Sequence, residues 1–378
     1  MLQENNALQV LLDLLALPSV NGTDREACVA EYLKNYFEAH GIVASLQKID
    51  PKRSNVTAFL PGQDSSRTVL WNGHLDTVPC GDRSAWHSDP LVPLRSDGKI
   101  YARGASDMKS GLAAMAYALC HLDEKPRCNI RFLGTCDEEK NGDGARSALH
   151  GDGVDNISFL LIGEPTALRP GTAQKGCLWL ELQVHGRTSH GAYPDKGVNA
   201  VEHGVRTARR LSEYVQTFRH PLLGNATAQI TGIEGGVANN MTPDRCRIVM
   251  DIRMVPPLKT QDVLERANEI LQKEQACTPG LDIRFTCLND RRAIEIDPTH
   301  PFVTALQEEL SSLGLDPDPI GINFFTDASI LDRDGHMDIC LFGPGDPALS
   351  HQPDEYVEEA AYLDAIRILQ RMAVSCHL

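Results

Sequence analysis

The chain has 378 residues, of which 42% are hydrophobic, and a formal net charge of -15 at neutral pH. A chain of this length has enough apolar side chains for more than one core, and we predict two domains. The negative charge opposes binding to nucleic acid or to anionic lipid, because both are polyanions. No run reaches the roughly 18 to 20 apolar residues that a bilayer span needs, so we expect no membrane partner.

The amino-terminal segment has apolar side chains at helical spacing, but it contains Glu4 and Asp13 and lacks the basic region and cleavage site of a signal peptide. It is therefore interpreted as an amphipathic helix. The 11 cysteines include no C-x-x-C pair, which disfavours a structural zinc site. A reducing, cytoplasmic location is expected.

Up to about residue 175, β-rich runs alternate with helical patterns. Helices are predicted near 25–40 and after Asp107, and the clearest strands are 68–72, 129–135 and 158–162. Such alternation predicts parallel strands with crossover helices, and therefore an α/β domain. In such domains the functional site lies at the carboxyl ends of the strands.

The middle of the chain follows the order β-α-β-β-α-β, beginning with the strand pattern C-L-W-L-E-L-Q-V-H-G. This ferredoxin-like, or split βαβ, pattern can form a compact unit by itself. The last segment contains two further helices and one strand, which should return to the first domain. We therefore predict a catalytic domain formed by residues 1–176 and 292–378, with an inserted domain at 177–291.

Carboxylates and imidazoles follow the predicted strands of the catalytic domain. They are His74 and Asp76 after T-V-L-W-N, Asp107 before a helix, Glu138 and Glu139 in C-D-E-E, Glu164 after S-F-L-L-I-G, and His351 in a Gly/Pro-rich loop. Each has an ordinary alternative, such as a packed histidine, an N-cap aspartate or a solvated acidic turn. Together they supply enough ligands for two divalent ions and a carboxylate to accept a proton from water. The ligand set by itself would equally suit a two-metal phosphatase.

Five motifs resemble those of the M20 metallopeptidase family over about residues 5–375: G-H-L-D-T-V-P, A-R-G-A-S-D-M-K-S-G, D-E-E, G-E-P-T and A-L-S-H-Q-P-D-E-Y. That family includes acetylornithine deacetylase, succinyl-diaminopimelate desuccinylase, aminoacylase and carboxypeptidase G2-like enzymes. The resemblance implies a di-zinc exopeptidase-type α/β catalytic domain. It also implies that the inserted ferredoxin-like domain serves as a lid and forms a homodimer.

The resemblance further implies a role for each residue of the centre. His74 and Glu164 hold one zinc, Glu139 and His351 hold the other, and Asp107 bridges the two. Cobalt or manganese could substitute for zinc, because mixed nitrogen and oxygen ligands discriminate poorly among divalent ions.

The remaining implied residues act on the substrate or on other site residues. Asp76 orients His74, Glu138 is the general base, His190 in G-R-T-S-H-G-A-Y-P stabilises the oxyanion, and the substrate contacts are Asn240, Arg253 and Thr326. For Arg253 the ordinary alternative is a surface ion pair, whereas a guanidinium fork suits a substrate carboxylate.

Within the family, Glu164 favours hydrolysis of N-acyl amino acids, since several di- and tripeptidases carry aspartate there. The F-F-T-D-A-S and F-G-P-G segments also resemble the acetylornithine deacetylase and succinyl-diaminopimelate desuccinylase branch. The alternative is an exopeptidase that cleaves small peptides. A third hypothesis is a catalytically silent binding protein, but such proteins usually lose a ligand or the base, and neither is missing here.

Overall fold

The computed structural model describes residues 2–150, 154, 156–332 and 335–375. The chain divides into two units, of which the first comprises Met1–Thr172, Ile296–Ile320 and Thr326–Leu378. The second comprises Ala173–Glu295 and Gly321–Phe325. Among the helices in these described ranges, none is long and apolar enough to cross a membrane.

The helices and strands in the described part of the chain are numbered in chain order. The α-helices are α1 (Glu4–Ala16), α2 (Ala27–Ala39), α3 (Lys109–Cys120), α4 (Asp143–Ala148), α5 (Ala200–Val215), α6 (Thr260–Ala276), α7 (Pro301–Ser312), α8 (Ala328–Leu331) and α9 (Glu359–Ser375). The strands are β1 (Val43–Lys48), β2 (Ser54–Leu60), β3 (Asp64–His74), β4 (Leu94–Ser96), β5 (Lys99–Tyr101), β6 (Cys128–Thr135), β7 (Phe159–Ile162), β8 (Gly171–Gln174), β9 (Gly176–His185), β10 (Arg219–His220), β11 (Gly224–Asn225), β12 (Thr227–Gly235), β13 (Arg245–Met254), β14 (Asp282–Arg291), β15 (Ile294–Glu295), β16 (Ile320–Ile322), β17 (Asp338–Leu341) and β18 (Tyr356–Glu358).

The first unit is built on a sheet in which the strand order runs β1-β2-β6-β3-β7-β17. Strand β3 pairs in parallel with β6 and β7, and β17 pairs in parallel with β7. The last seven residues of β3 are all buried, as expected for a central strand covered on both faces. His74 pairs with Thr135 at the carboxyl ends of their strands, so the loops that follow both strands begin at one edge of the sheet.

Helix α3 is buried on every side from Lys109 to Leu119, which explains its small and apolar residues. A Cβ added at Gly111 of this helix would lie 1.8 Å from the carbonyl oxygen of Gly163. Only glycine permits so close an approach between α3 and the end of β7. The approach brings Asp107, just before α3, close to Glu164, just after β7.

The second unit contains an antiparallel sheet of order β12-β13-β9-β14. Alternate residues of β9, such as Leu178, Leu180 and Leu182, share a buried cluster with residues of α5 and α6. Along the chain, the order of β9, α5, β12, β13, α6 and β14 is β-α-β-β-α-β, and the short strands β10 and β11 lie between α5 and β12. The predicted bounds, 177–291, fall inside the observed unit, which also includes Gly321–Phe325, and periodicity gives no sign of that last segment.

Candidate metal centre

His74 is the last residue of β3 and is 2% exposed. Its Nδ1 donates a hydrogen bond to the backbone carbonyl of Asp76 at 2.9 Å, so Nε2 is the ring nitrogen available to bind a metal ion. Nε2 lies 3.0 Å from Oδ1 of Asp107 and 3.8 Å from Oε1 of Glu164. A nitrogen lone pair beside carboxylate oxygens is repulsive unless a proton or a cation lies among them. The tautomer and the contacts therefore fit a metal-ligating imidazole.

Asp107 presents its two carboxylate oxygens to two different histidines. Oδ1 faces His74, whereas Oδ2 lies 3.5 Å from Nε2 of His351. That second imidazole lies 3.1 Å from Oε2 of Glu139. Asp107 therefore separates a His74/Glu164 pair from a Glu139/His351 pair, which is the arrangement that a bridging carboxylate requires.

Donor atoms of His74, Asp107 and Glu139 lie within 4.8 Å of one another, and so do those of His74, Glu138 and Glu164. Burial, reinforced by neighbouring carboxylates, raises the pKa of both Glu138 and Glu164 well above the usual value. So many buried carboxylates are costly unless protons or cations neutralise them. Imidazole and carboxylate donors together suit zinc, cobalt or manganese.

Asp76 is predicted to orient His74, but its carboxylate forms its hydrogen bonds with other groups. It is fully buried and accepts the backbone amides of Glu138 and Glu139, each at 3.2 Å. Its Oδ1 lies 3.8 Å from Nδ1 of His74, whose hydrogen bond goes instead to the Asp76 backbone. Asp76 therefore orients His74 through its backbone and holds the Glu138–Glu139 turn through its side chain.

Two residues that the sequence analysis did not single out complete this arrangement. The Asn21 amide donates to Asp76 and to Asp137, each at 2.9 Å. Glu26, fully buried at the start of α2, accepts the backbone amide of Asp137 at 2.9 Å. Three consecutive backbone amides, those of Asp137 and of the two glutamates after it, are thus held by buried carboxylates. The Asn-Gly pair at Asn21 indicates only a turn, so this contact has no signal in the sequence.

Comparison with known proteins identifies the family. Residues 70–375 match the description "Peptidase family M20/M25/M40". The chain belongs to this family. The M20 resemblance, the mixed α/β fold and the assignment as a metal-dependent hydrolase are therefore confirmed.

Two relatives and one solved structure place this M20 enzyme among its neighbours. A probable succinyl-diaminopimelate desuccinylase of Staphylococcus aureus strain MRSA252 is 28% identical over 98% of this chain and 97% of the relative. An acetylornithine deacetylase of Myxococcus xanthus is 30% identical, with 86% of each chain covered. The fold is similar to that of a dinuclear metal-binding M20 peptidase of Bacillus subtilis, with a TM-score of 0.74 at 15% identity over 99% of this chain and 98% of the other.

The other predicted site residues of this M20 enzyme lie in two places. Thr326 belongs to the first unit and is fully buried, and its hydroxyl accepts the backbone amide of Ala328 at the start of α8. His190 and Asn240 are both exposed in the second unit. They lie in adjoining loops, because Gly191 donates its amide to the Asn240 carbonyl at 2.7 Å.

Arg253, also in the second unit, already has a carboxylate partner within the chain. Its Nε and Nη2 donate to the two oxygens of Asp251 at 2.8 and 3.0 Å. Its guanidinium carbon lies 5.7 Å from the centre of the Phe325 ring. The ion pair that the sequence left as the ordinary alternative is therefore present, and the substrate contact stays a prediction.

Proposed function

We propose that the chain hydrolyses the amide bond of N-acyl amino acids of the N-acetylornithine or N-succinyl-diaminopimelate type. The observation that carries this proposal is the division of the Asp107 carboxylate between His74 and His351. The Glu138 carboxylate lies beside His74 and Glu164. The two relatives at 28% and 30% identity, both named as deacylating enzymes, support amide rather than phosphate ester cleavage.

In this proposal His74 and Glu164 would hold one divalent cation, Glu139 and His351 would hold the second, and Asp107 would contribute to both sites. Zinc is the proposed metal, with cobalt or manganese as substitutes. When bound, such cations supply Lewis acidity, which polarises a carbonyl and favours ionisation of water.

Glu138 is the proposed general base. Its carboxylate takes a proton from the attacking water and delivers it to the nitrogen of the leaving amine, so that one residue serves both halves of the reaction. The hydrogen bond from the Glu138 backbone amide to Asp76 fixes the position of the backbone from which this side chain extends. In the metal-free chain, burial and the neighbouring carboxylates raise the pKa of Glu138. Two bound cations would lower that pKa again, and the ionised carboxylate could then accept the proton.

For the second unit we propose that His190 stabilises the oxyanion and that Asn240 and Arg253 contact the substrate. His190 and Asn240 lie in adjoining loops, which supports a common role in substrate binding. Arg253 can bind a substrate carboxylate either by releasing Asp251 or by keeping Asp251 as a second partner. We further propose that Thr326 lines the substrate site and that two copies associate. A cytoplasmic location is proposed because every cysteine in the described residues is a free thiol.

A matched substrate panel tests the proposed reaction. The zinc-loaded protein is assayed with N-acetylornithine, N-succinyl-diaminopimelate, N-acetyl amino acids and dipeptides. We expect hydrolysis of one or more N-acyl amino acids, with release of a free α-amine. Cleavage of dipeptides alone would make the chain an exopeptidase, and failure to cleave any of them would favour a silent binding protein.

A further inference from the structure

Glu355 lies four residues after His351, directly before β18, and is fully buried. Its carboxylate accepts three backbone amides from one loop: Gly104 at 3.0 Å, Ser106 at 2.8 Å and Asp107 at 2.9 Å. The loop ends at the residue that divides its carboxylate between the two histidines. A single buried side chain therefore shapes the backbone that presents Asp107.

Arg103 completes the coordination of the same carboxylate. Its Nη1 donates to Oε2 of Glu355 at 2.6 Å, and both side chains are almost wholly buried. The charge of Glu355 is thus compensated, as a buried carboxylate requires. With three amides and one guanidinium, the hydrogen-bonding capacity of the carboxylate is well used.

Other contacts join the loop before Asp107 to the loop that carries His351. The Ala102 amide donates to the backbone carbonyl of Glu355 at 3.1 Å, and the Ser106 hydroxyl donates to the carbonyl of Asp346 at 2.8 Å. Strand β18 also pairs with β5 immediately before the first loop. The two loops therefore form one hydrogen-bonded assembly with Glu355 at its centre.

His351 needs such support more than His74 does. Its side chain is 51% exposed, and its backbone has a φ of +64°, a left-handed conformation that costs energy in residues other than glycine. Neither a strand nor a long helix holds it in place. His74, by contrast, is fixed by its place at the end of β3. The chain that follows Asp107 is fixed by α3, which packs against Gly163.

We propose that Glu355 is a positioning residue that sets the separation of Asp107 and His351 and thereby the affinity for the cation held on the His351 side. The inference rests on the proposed two-cation function. Partners behind metal ligands typically contribute about 10- to 100-fold to metal affinity. Loss of Glu355 should therefore weaken one cation site and largely spare the other.

The test is a zinc titration of metal-free protein by calorimetry, with thermal melting of the same samples. For wild type we expect two binding steps. We assign the weaker step to the more exposed His351 side. In Glu355→Gln an amide donor replaces a carboxylate oxygen that faces backbone amides, and this weaker step should lose about 10- to 100-fold in affinity. The tighter step should change by less than about threefold. Glu358→Gln is the matched control, because Glu358 lies on β18 with an exposed side chain near Lys99 and should leave both steps unchanged.

Two results would decide against the inference. Unchanged affinity in both steps would remove any positioning role, and equal weakening of both, with a lower melting temperature of the metal-free protein, would show a purely structural role. If Glu355→Gln does not fold, the shorter Glu355→Asp is judged by the same criteria. A wild-type chain that binds fewer than two cations would instead refute the proposed function itself.

Discussion

The two halves of the candidate centre are built in different ways. His74 is 2% exposed at the end of a central strand, and Glu164 is 3% exposed at the end of its neighbour. The imidazole of His351 is 51% exposed in a loop between a 3-10 turn and β18. Glu139, its partner, is held through a backbone amide bound by Asp76.

This difference indicates how each half obtains its geometry. The His74 half uses the core, because the packing that buries β3 and β7 also fixes the positions of their last residues. The His351 half depends on polar contacts between loops, with Glu355 at the centre. We therefore expect the His74 half to bind its cation more tightly and the His351 half to exchange it more readily.

Replacement of Glu138 should have the largest effect, since in the proposed function this residue is the general base and not a ligand of either cation. Glu138→Gln should lower turnover by about 10²- to 10⁴-fold, because proton transfer is lost. Steady-state kinetics and elemental analysis of the same preparation test this, and both cations should remain. Near-normal turnover in a variant with full metal content would remove Glu138 as the base.

Replacement of each histidine tests the comparison itself. His351→Ala should leave one tightly bound cation per chain, whereas His74→Ala should weaken the tighter site by about 10²-fold or more, since a direct ligand matters more than its supporting partners. Metal content after dialysis against a weak chelator distinguishes them. Equal losses in the two variants would mean that the halves do not differ.

Asn21→Ala tests the turn that carries both glutamates. In this variant the buried carboxylates of Asp76 and Asp137 lose the hydrogen bond from the Asn21 amide. This loss should lower the free energy of unfolding by about 1–3 kcal/mol. Turnover should fall with little loss of metal, because the Glu138 side chain is less well oriented. Asn6→Ala, at an exposed asparagine of α1, is the control. A loss of stability without any change in turnover would limit Asn21 to a structural role.

Glu26 should have the smallest effect on turnover, and its replacement should instead change the pH dependence of stability. Burial, with the nearby Asp76 charge, raises the pKa of Glu26 from 4.5 to about 8. The folded metal-free protein thus keeps a proton that the unfolded chain has already lost, so this contribution to stability falls as pH rises from about 4.5 to 8. Urea unfolding of Glu26→Gln and wild type at several pH values should show the variant gaining relative stability toward pH 8. A difference independent of pH would contradict the shift.

The parts of the centre that were predicted from sequence have local signals. His74, Glu139 and Glu164 follow apolar strands, and parallel strands bring their carboxyl ends to one edge. Asp251 and Arg253 are two residues apart on β13, so they share a face, and this spacing could have indicated their ion pair.

The supporting residues have no comparable local signal. Asn21 contacts Asp76 across 55 positions of the sequence, and Glu355 contacts Asp107 across 248. Such contacts depend on the tertiary fold, so an Asn-Gly turn and a loop glutamate look ordinary until the chain is folded. The assignment of Gly321–Phe325 to the second unit was missed for the same reason.

The most direct test of the two-cation proposal is the metal content of the wild-type chain. Zinc-replete protein is dialysed and analysed for zinc per chain, with a weak chelator added in a second step. We expect two zinc ions per chain before the chelator and one after it, the remaining ion being held by the His74 half. One ion or fewer before the chelator would contradict a two-cation centre.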